Sequence, residues 1–273
     1  MRNDKMTAPP RHPVTADQIR SGDPYEISGG RLIEVLPTGR RGSRGNLMGG
    51  TVLDSDPAVE SAGVDTGFSP RPDLLRAPDV SIGNVSSDPG WATEAPSLAV
   101  EYADRGQDEA DLQQKILELL DAGTRWVWVV RLHGKRRVEV YEPAASEPSG
   151  ARRIVRPARV LHPGEQLVAP GVLRNPVPVE ALYDREAAHE ITLRNLLQRR
   201  GYESLEAVQA QAMAKGLEQG RAESLRAALV DLYEAYGLVL SAEQEAAVQA
   251  MDIGELEALR AALKRERRWP GPR

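Results

Sequence analysis

Through the first two thirds of the chain apolar residues come in short runs bounded by glycine and proline; after that they recur at helical spacing. Residues 25–27 (YEI), a Ser28-Gly29-Gly30 turn and residues 31–35 (RLIEV) predict a β-hairpin, preceded by a short helix over 15–20 that Thr15 caps. Glycines at 42, 45, 49 and 50 weaken the helical signal of the next stretch, which is expected to be helical over 44–53. Strand-like runs follow at 64–68, 78–82 and 98–102, separated by loops that carry Pro70, Pro72, Pro89, Gly90 and Pro96.

Leu98, Ala99 and Val100 are apolar up to Glu101, the pattern of a buried central strand. Over 108–122, Leu112, Ile116, Leu119 and Leu120 fall at i, i+4, i+7 and i+8, and Gly123 stands where a helix would stop. A strand over 125–131 comes next, so residues 98–131 predict a strand-helix-strand unit with parallel strands and a right-handed crossover. Residues 138–141 add a hairpin partner, and 152–156 and 166–168 read as edge strands. Trp126 and Trp128 alternate on their strand and are expected to pack on one face beneath a helix, with base stacking as the lesser reading.

Beyond Pro178 the composition turns to Ala, Glu, Gln, Leu and Arg, and proline is absent until Pro270. The expected organisation is a disordered segment at 1–14, an α/β (α+β) domain with one mixed sheet and flanking helices at 15–183, and an α-helical region at 184–273. Amphipathic helices are expected at 225–236, 241–250 and 253–263. Ala212, Gly216 and Gly220 share one helix face, either a close-approach surface for self-association or partner binding, or a glycine-weakened connector.

Composition narrows the chemistry. The absence of cysteine excludes disulfides, thiolate metal sites and a cysteine nucleophile, and the four histidines lack the spacing of a helical zinc pair. No apolar stretch follows Met1 to Pro13, and the run at 126–130 is too short to span a bilayer, so the expectation is a soluble cytoplasmic protein. A net charge of −5 argues against indiscriminate nucleic-acid binding unless the arginines gather on one face.

Two carboxylates sit where strands begin or end, Asp79 before Val80-Ser81-Ile82 and Glu101 after Leu98-Ala99-Val100. A buried acid needs a compensating charge, which a shared divalent cation provides. With oxygen donors alone, that cation is Mg2+ or Mn2+. Arg76, Arg105 and Arg125 are the competing explanation, each able to neutralise an acid directly.

Residues 25–32 (YEISGGRL), 77–81 (APDVS), 96–101 (PSLAVE), Lys115 and 122–130 (AGTRWVWVV) resemble, in order and spacing, the Uma2 family of restriction endonucleases in the PD-(D/E)XK nuclease superfamily. The resemblance, covering roughly 15–183, implies a restriction-endonuclease-like sheet core flanked by helices and a bacterial origin. It also implies Asp79 and Glu101 as metal ligands, with Glu26 as an additional acid of the site. The superfamily lysine usually stands two residues after the second acid, where this chain has Ala103; Lys115 matches a helix lysine of the family. Left to the helical wheel alone, Lys115 lies at the edge of the apolar face, where it can reach the sheet or pair with Asp111 in solvent.

The expected function is therefore Mg2+-dependent endonucleolytic cleavage of DNA by Asp79, Glu101, Lys115 and Glu26. Arg40, Arg41 and Arg44 are expected to hold the phosphate backbone, and the helical tail to form a homodimer or other homo-oligomer. The alternative is a catalytically silent nuclease fold that binds nucleic acid or protein.

Overall fold

The computed structural model describes residues 12–106, 108–143 and 155–270. The disordered segment expected at 1–14 lies outside the described residues up to residue 11, and so does the 152–154 part of the edge strand expected at 152–156. The chain forms two compact units, Met1–Gly201 and Tyr202–Arg273.

In chain order the first unit contains β1 (Tyr25–Ser28), β2 (Arg31–Glu34), α1 (Arg40–Asp54), β3 (Ala62–Val64), β4 (Phe68–Arg71), β5 (Leu74–Arg76), β6 (Val80–Ile82), β7 (Leu98–Ala103), α2 (Glu109–Asp121), β8 (Trp126–Arg131), β9 (Arg137–Tyr141), β10 (Arg159–Leu161), β11 (Gln166–Leu167), β12 (Val177–Pro178) and α3 (Arg185–Arg199). A six-stranded sheet has the order β10-β9-β8-β7-β6-β3, a four-stranded sheet the order β2-β1-β5-β4, and β11 pairs with β12. The large sheet is mixed: β7 and β8 are parallel, as the strand-helix-strand pattern predicts, and its other pairs are antiparallel.

Alternation along the central strands divides the core between two faces. Ala99, Ala103, Val127 and Val129 lie with Leu112, Ile116 and Leu119 of α2. Val100, Tyr102, Trp128 and Val130 lie with Val52 and Leu53 of α1 and with Ala188 and Ile191 of α3. Each fully buried Val, Leu or Ile among them contributes about 1.5–3 kcal/mol. Because Ala188 and Ile191 join this core, the first unit runs past Tyr183 to Gly201.

The helix expected at 44–53 begins earlier and keeps its glycines for a packing reason. A Cβ on Gly45 would stand 2.5 Å from Tyr102 Cε1, and one on Gly49 would stand 2.0 Å from Tyr102 Oη. The ring of Tyr102 thus lies directly against the helix backbone, and its hydroxyl donates to Leu182 O at 2.9 Å. The run at 64–68 is not one strand. It divides into β3 and β4, which belong to different sheets, with Asp65 between them at φ 52°.

The second unit comprises α4 (Leu205–Ala235), α5 (Ala242–Ala250) and α6 (Ile253–Glu266). Its core is Leu225, Leu229 and Tyr233 of α4 with Val248, Leu256, Leu259 and Leu263. Ser241 and Asp252 cap the two shorter helices. Among the described residues no helix is long and apolar enough to cross a membrane.

Candidate active site

The antiparallel register of β6 and β7 pairs Val80 with Val100. Asp79 immediately precedes β6 and so lies at the end of this strand pair near Glu101, whose side chain alternates onto the same face as Ala99 and Ala103, the face that α2 covers. Asp79 is held at this point by two donors: Tyr102 N at 2.6 Å to Oδ2 and Asn46 Nδ2 of α1 at 3.2 Å to Oδ1. Glu101 does not end its strand as the sequence suggests but lies within β7, where every residue is buried.

Lys115 reaches this pair from α2. Its Nζ lies 2.9 Å from Glu101 Oε1 and 3.1 Å from Glu26 Oε1, and donates to Ala77 O at 2.8 Å. The side chain is 14% exposed, so the inward reading of the helical wheel holds and the solvent pairing with Asp111 does not. Ala103, two residues after Glu101, lies under the same helix; the ammonium that reaches Glu101 comes from α2 instead.

Glu26 arrives from the other sheet. Since Ile27 pairs with Leu75, Glu26 stands across from Arg76, whose Nη1 donates to Glu26 Oε2 at 2.8 Å while its Nε donates to Glu118 Oε2 at 2.6 Å. Ala77 N donates to Glu26 Oε1 at 3.1 Å, and Ser28 Oγ donates to Glu118 Oε1 at 2.5 Å. Both oxygens of Glu26 are therefore engaged. The sequence reading missed Glu118 and Asn46. A signal for Glu118 was available, since it sits three residues after Lys115, where an acid next to the apolar face needs a partner.

Charge in this cluster is unevenly balanced. Burial pushes the Glu101 carboxyl up to about 8; Lys115 pulls it down, while Asp79 and Glu26 add to the rise. Burial also opposes ionisation of Glu26, but Lys115 and Arg76 outweigh it and hold that carboxyl below its usual range. For Lys115, burial is more than offset by Glu101, Glu26 and Asp79, which keep it protonated. Asp65, at the turn after β3, is pushed up by burial and by the charge of Asp79.

The three arginines expected to bind phosphate lie in the first turns of α1 and differ in their surroundings. Arg41 is tied to Asp104 through Nε at 2.9 Å and to Leu132 O, whereas Arg40 and Arg44 are exposed. Of the competing neutralisers, Arg76 serves Glu26 and Glu118, and Arg125 donates to Gly171 O. Trp128 packs in the core under α1 and α3, as expected of a structural tryptophan.

Residues 14–175 match a family described as "Uma2: Putative restriction endonuclease". The chain belongs to the Uma2 family. Among solved structures, the crystal structure of "a putative nuclease belonging to DUF820" from Anabaena variabilis ATCC 29413 is similar over 64% of this chain and 99% of that one, with 19% identity and a TM-score of 0.49. No curated protein matches the chain.

For a Uma2 chain the donor set is compatible with a hard divalent cation. Asp79 and Glu101 present oxygen ligands close enough for the charge of Asp79 to act on Glu101, and Glu101, raised first by burial and then by Asp79 and Glu26, is a carboxyl that a bound cation would favour in its ionised form. Among the described residues no group of three or more Asp, Glu or His side chains is arranged to hold a metal ion. Two protein carboxylates with water filling the rest of the shell is a usual arrangement for Mg2+.

Proposed function

We propose that this Uma2 protein is a Mg2+- or Mn2+-dependent DNA endonuclease whose site is Asp79, Glu101 and Lys115. The observation that carries the reading is the placement of Lys115 Nζ 2.9 Å from Glu101 Oε1, with Asp79 bound to the N–H of the residue after Glu101. Asp79 and Glu101 would be the metal ligands. Such an ion supplies charge neutralisation at the scissile phosphate and acidity to bound water.

The protein's own groups have separate tasks. The Tyr102 N–H and the Asn46 amide fix the carboxylate of Asp79, leaving it no freedom to turn away. Glu26 serves as an anchor for Lys115, because both its oxygens are already taken by Lys115, Arg76 and Ala77 N. Lys115, kept protonated by its acidic neighbours, orients water or stabilises charge on the phosphoryl oxygens as they become more negative.

Incubation of supercoiled plasmid with the full chain and Mg2+ or Mn2+ tests the proposal, with Glu101→Ala and Asp79→Asn alongside. Nicking by the parent that both variants lose is the expected result; equal behaviour of all three defeats it. The ion pair of Lys115 with Glu101 also suits a second reading, a silent nuclease fold in which the lysine permanently replaces the metal, and that reading requires no nicking with either ion.

A further inference from the structure

A second chemically distinctive place lies between α1 and α3, a cavity of about 380 Å³. On α1, Arg44, Leu47 and Met48 face it at i, i+3 and i+4; on α3, Arg185, His189 and Thr192 do so at i, i+4 and i+7. No acid lines it. Among the described residues the side chains of Arg44, Arg185 and His189 have no ion-pair or hydrogen-bond partner. The Thr192 hydroxyl is buried without a hydrogen bond.

This arrangement contrasts with Arg41 of α1, which is paired with Asp104, and with Arg199 of α3, which donates to four main-chain carbonyls. In a protein of net charge −5, a polyanion is repelled on average, and it approaches Asp79 and Glu101 only where unpaired cations hold it. Arginine forks and a histidine over an apolar floor suit phosphate oxygens flanking a sugar.

We infer that the groove between α1 and α3 holds the phosphodiester backbone of duplex DNA, a few nucleotides from the bond to be cut; the inference rests on the nuclease reading above. The geometry relating the two places is set by α1. Asn46 reaches Asp79 from one flank of this helix, and Arg44 faces the groove from another. A helix is about 10–12 Å across with its side chains, a distance that three or four nucleotides cover at about 3.4 Å each.

The test is equilibrium binding of a short fluorescein-labelled duplex to the full chain in EDTA, where no cleavage occurs, as a function of salt. Arg44→Gln/Arg185→Gln is compared with the parent and with Arg20→Gln/Arg31→Gln, two exposed arginines outside α1 and α3. The groove variant is expected to lower the slope of log K against log salt by about two, so that its deficit relative to the parent shrinks about tenfold between 50 and 200 mM. The control pair should follow the parent. If the groove variant and the parent share one slope, the groove assignment is wrong, and parallel plasmid nicking by the parent then shows whether the nuclease reading survives without it. Absence of both binding and nicking in the parent overturns both. Circular dichroism of each variant, expected to be unchanged for these exposed positions, excludes unfolding as the cause of a loss.

Discussion

The main-chain N–H of Tyr102 donates a 2.6 Å hydrogen bond to Asp79 Oδ2, so the acid near Glu101 is oriented by the residue following Glu101. The same tyrosine turns its ring to the opposite face of the sheet and packs against Gly45 and Gly49 of α1. Position 102 therefore joins the carboxylate pair to the helix packing behind it.

Asp79→Asn tests the ligand role without removing the hydrogen bond, because an amide oxygen still accepts from Tyr102 N. The expected outcome is a stability change under about 1 kcal/mol with Mn2+ affinity reduced roughly 10–100-fold. Urea unfolding and titration calorimetry measure the two quantities; unchanged Mn2+ affinity removes Asp79 from the site.

Lys115→Met breaks the ion pair with Glu26, leaving Arg76 as that acid's remaining cation, and removes the ammonium beside Glu101. Breaking a buried pair on one side costs about 3–5 kcal/mol, and unfolding in urea should show a loss of that order. Lys115→Arg, which keeps the charge, should recover most of the stability but not the nicking activity, since a planar fork does not reproduce an ammonium placed at three acceptors.

Glu101 gives metal-free stability a sign opposite to that of most carboxylates. Its folded-state value of about 8 lies above the ordinary 4.5, so the folded protein holds the extra proton between these values. Stability from this group is complete below about pH 4.5 and falls as the pH rises towards 8, by an amount on the order of a few kcal/mol. Glu26, held low, acts in the other direction, and its contribution is lost as the pH falls below its usual range. Glu101→Gln should flatten the decline between pH 5 and 8 in denaturation series recorded in EDTA; a variant with the parent's slope rules out Glu101 as its source.

Gly49→Ala places a methyl 2.0 Å from Tyr102 Oη and should cost roughly 1–3 kcal/mol despite alanine's better helix propensity. In a Tyr102→Phe background the same substitution should cost measurably less, because the atom it meets is gone. A double-mutant cycle by thermal unfolding reads this coupling directly, and additive effects exclude the close approach as the reason for glycine.

Periodicity exposed the centre of the molecule well. The β7-α2-β8 unit follows from Leu98 to Val100, the Leu112-Ile116-Leu119 spacing and the run after Thr124, because burial there is continuous and local. It exposed α1 poorly, since propensity counts glycines against a helix while Tyr102, far away in sequence, requires them. The run at 64–68 was misread because alternation says nothing of a left-handed residue such as Asp65 that turns the chain from one sheet to another. Asp79, Glu101 and Lys115 could be named from sequence order, but the bonds of Asn46 to Asp79 and of Arg76 to Glu26 and Glu118 link residues 33, 50 and 42 positions apart. No pattern along the chain reports such distances.

Glu26 comes from the small sheet and Glu101 from the large one, and a single ammonium touches both. Any shift of the hairpin relative to the central strands would accordingly be felt at Lys115 before it reached the acids themselves. Glu26 is the hairpin's own contribution to that contact, so an insertion in the 29–30 turn would reach the Lys115 ammonium through a single carboxylate.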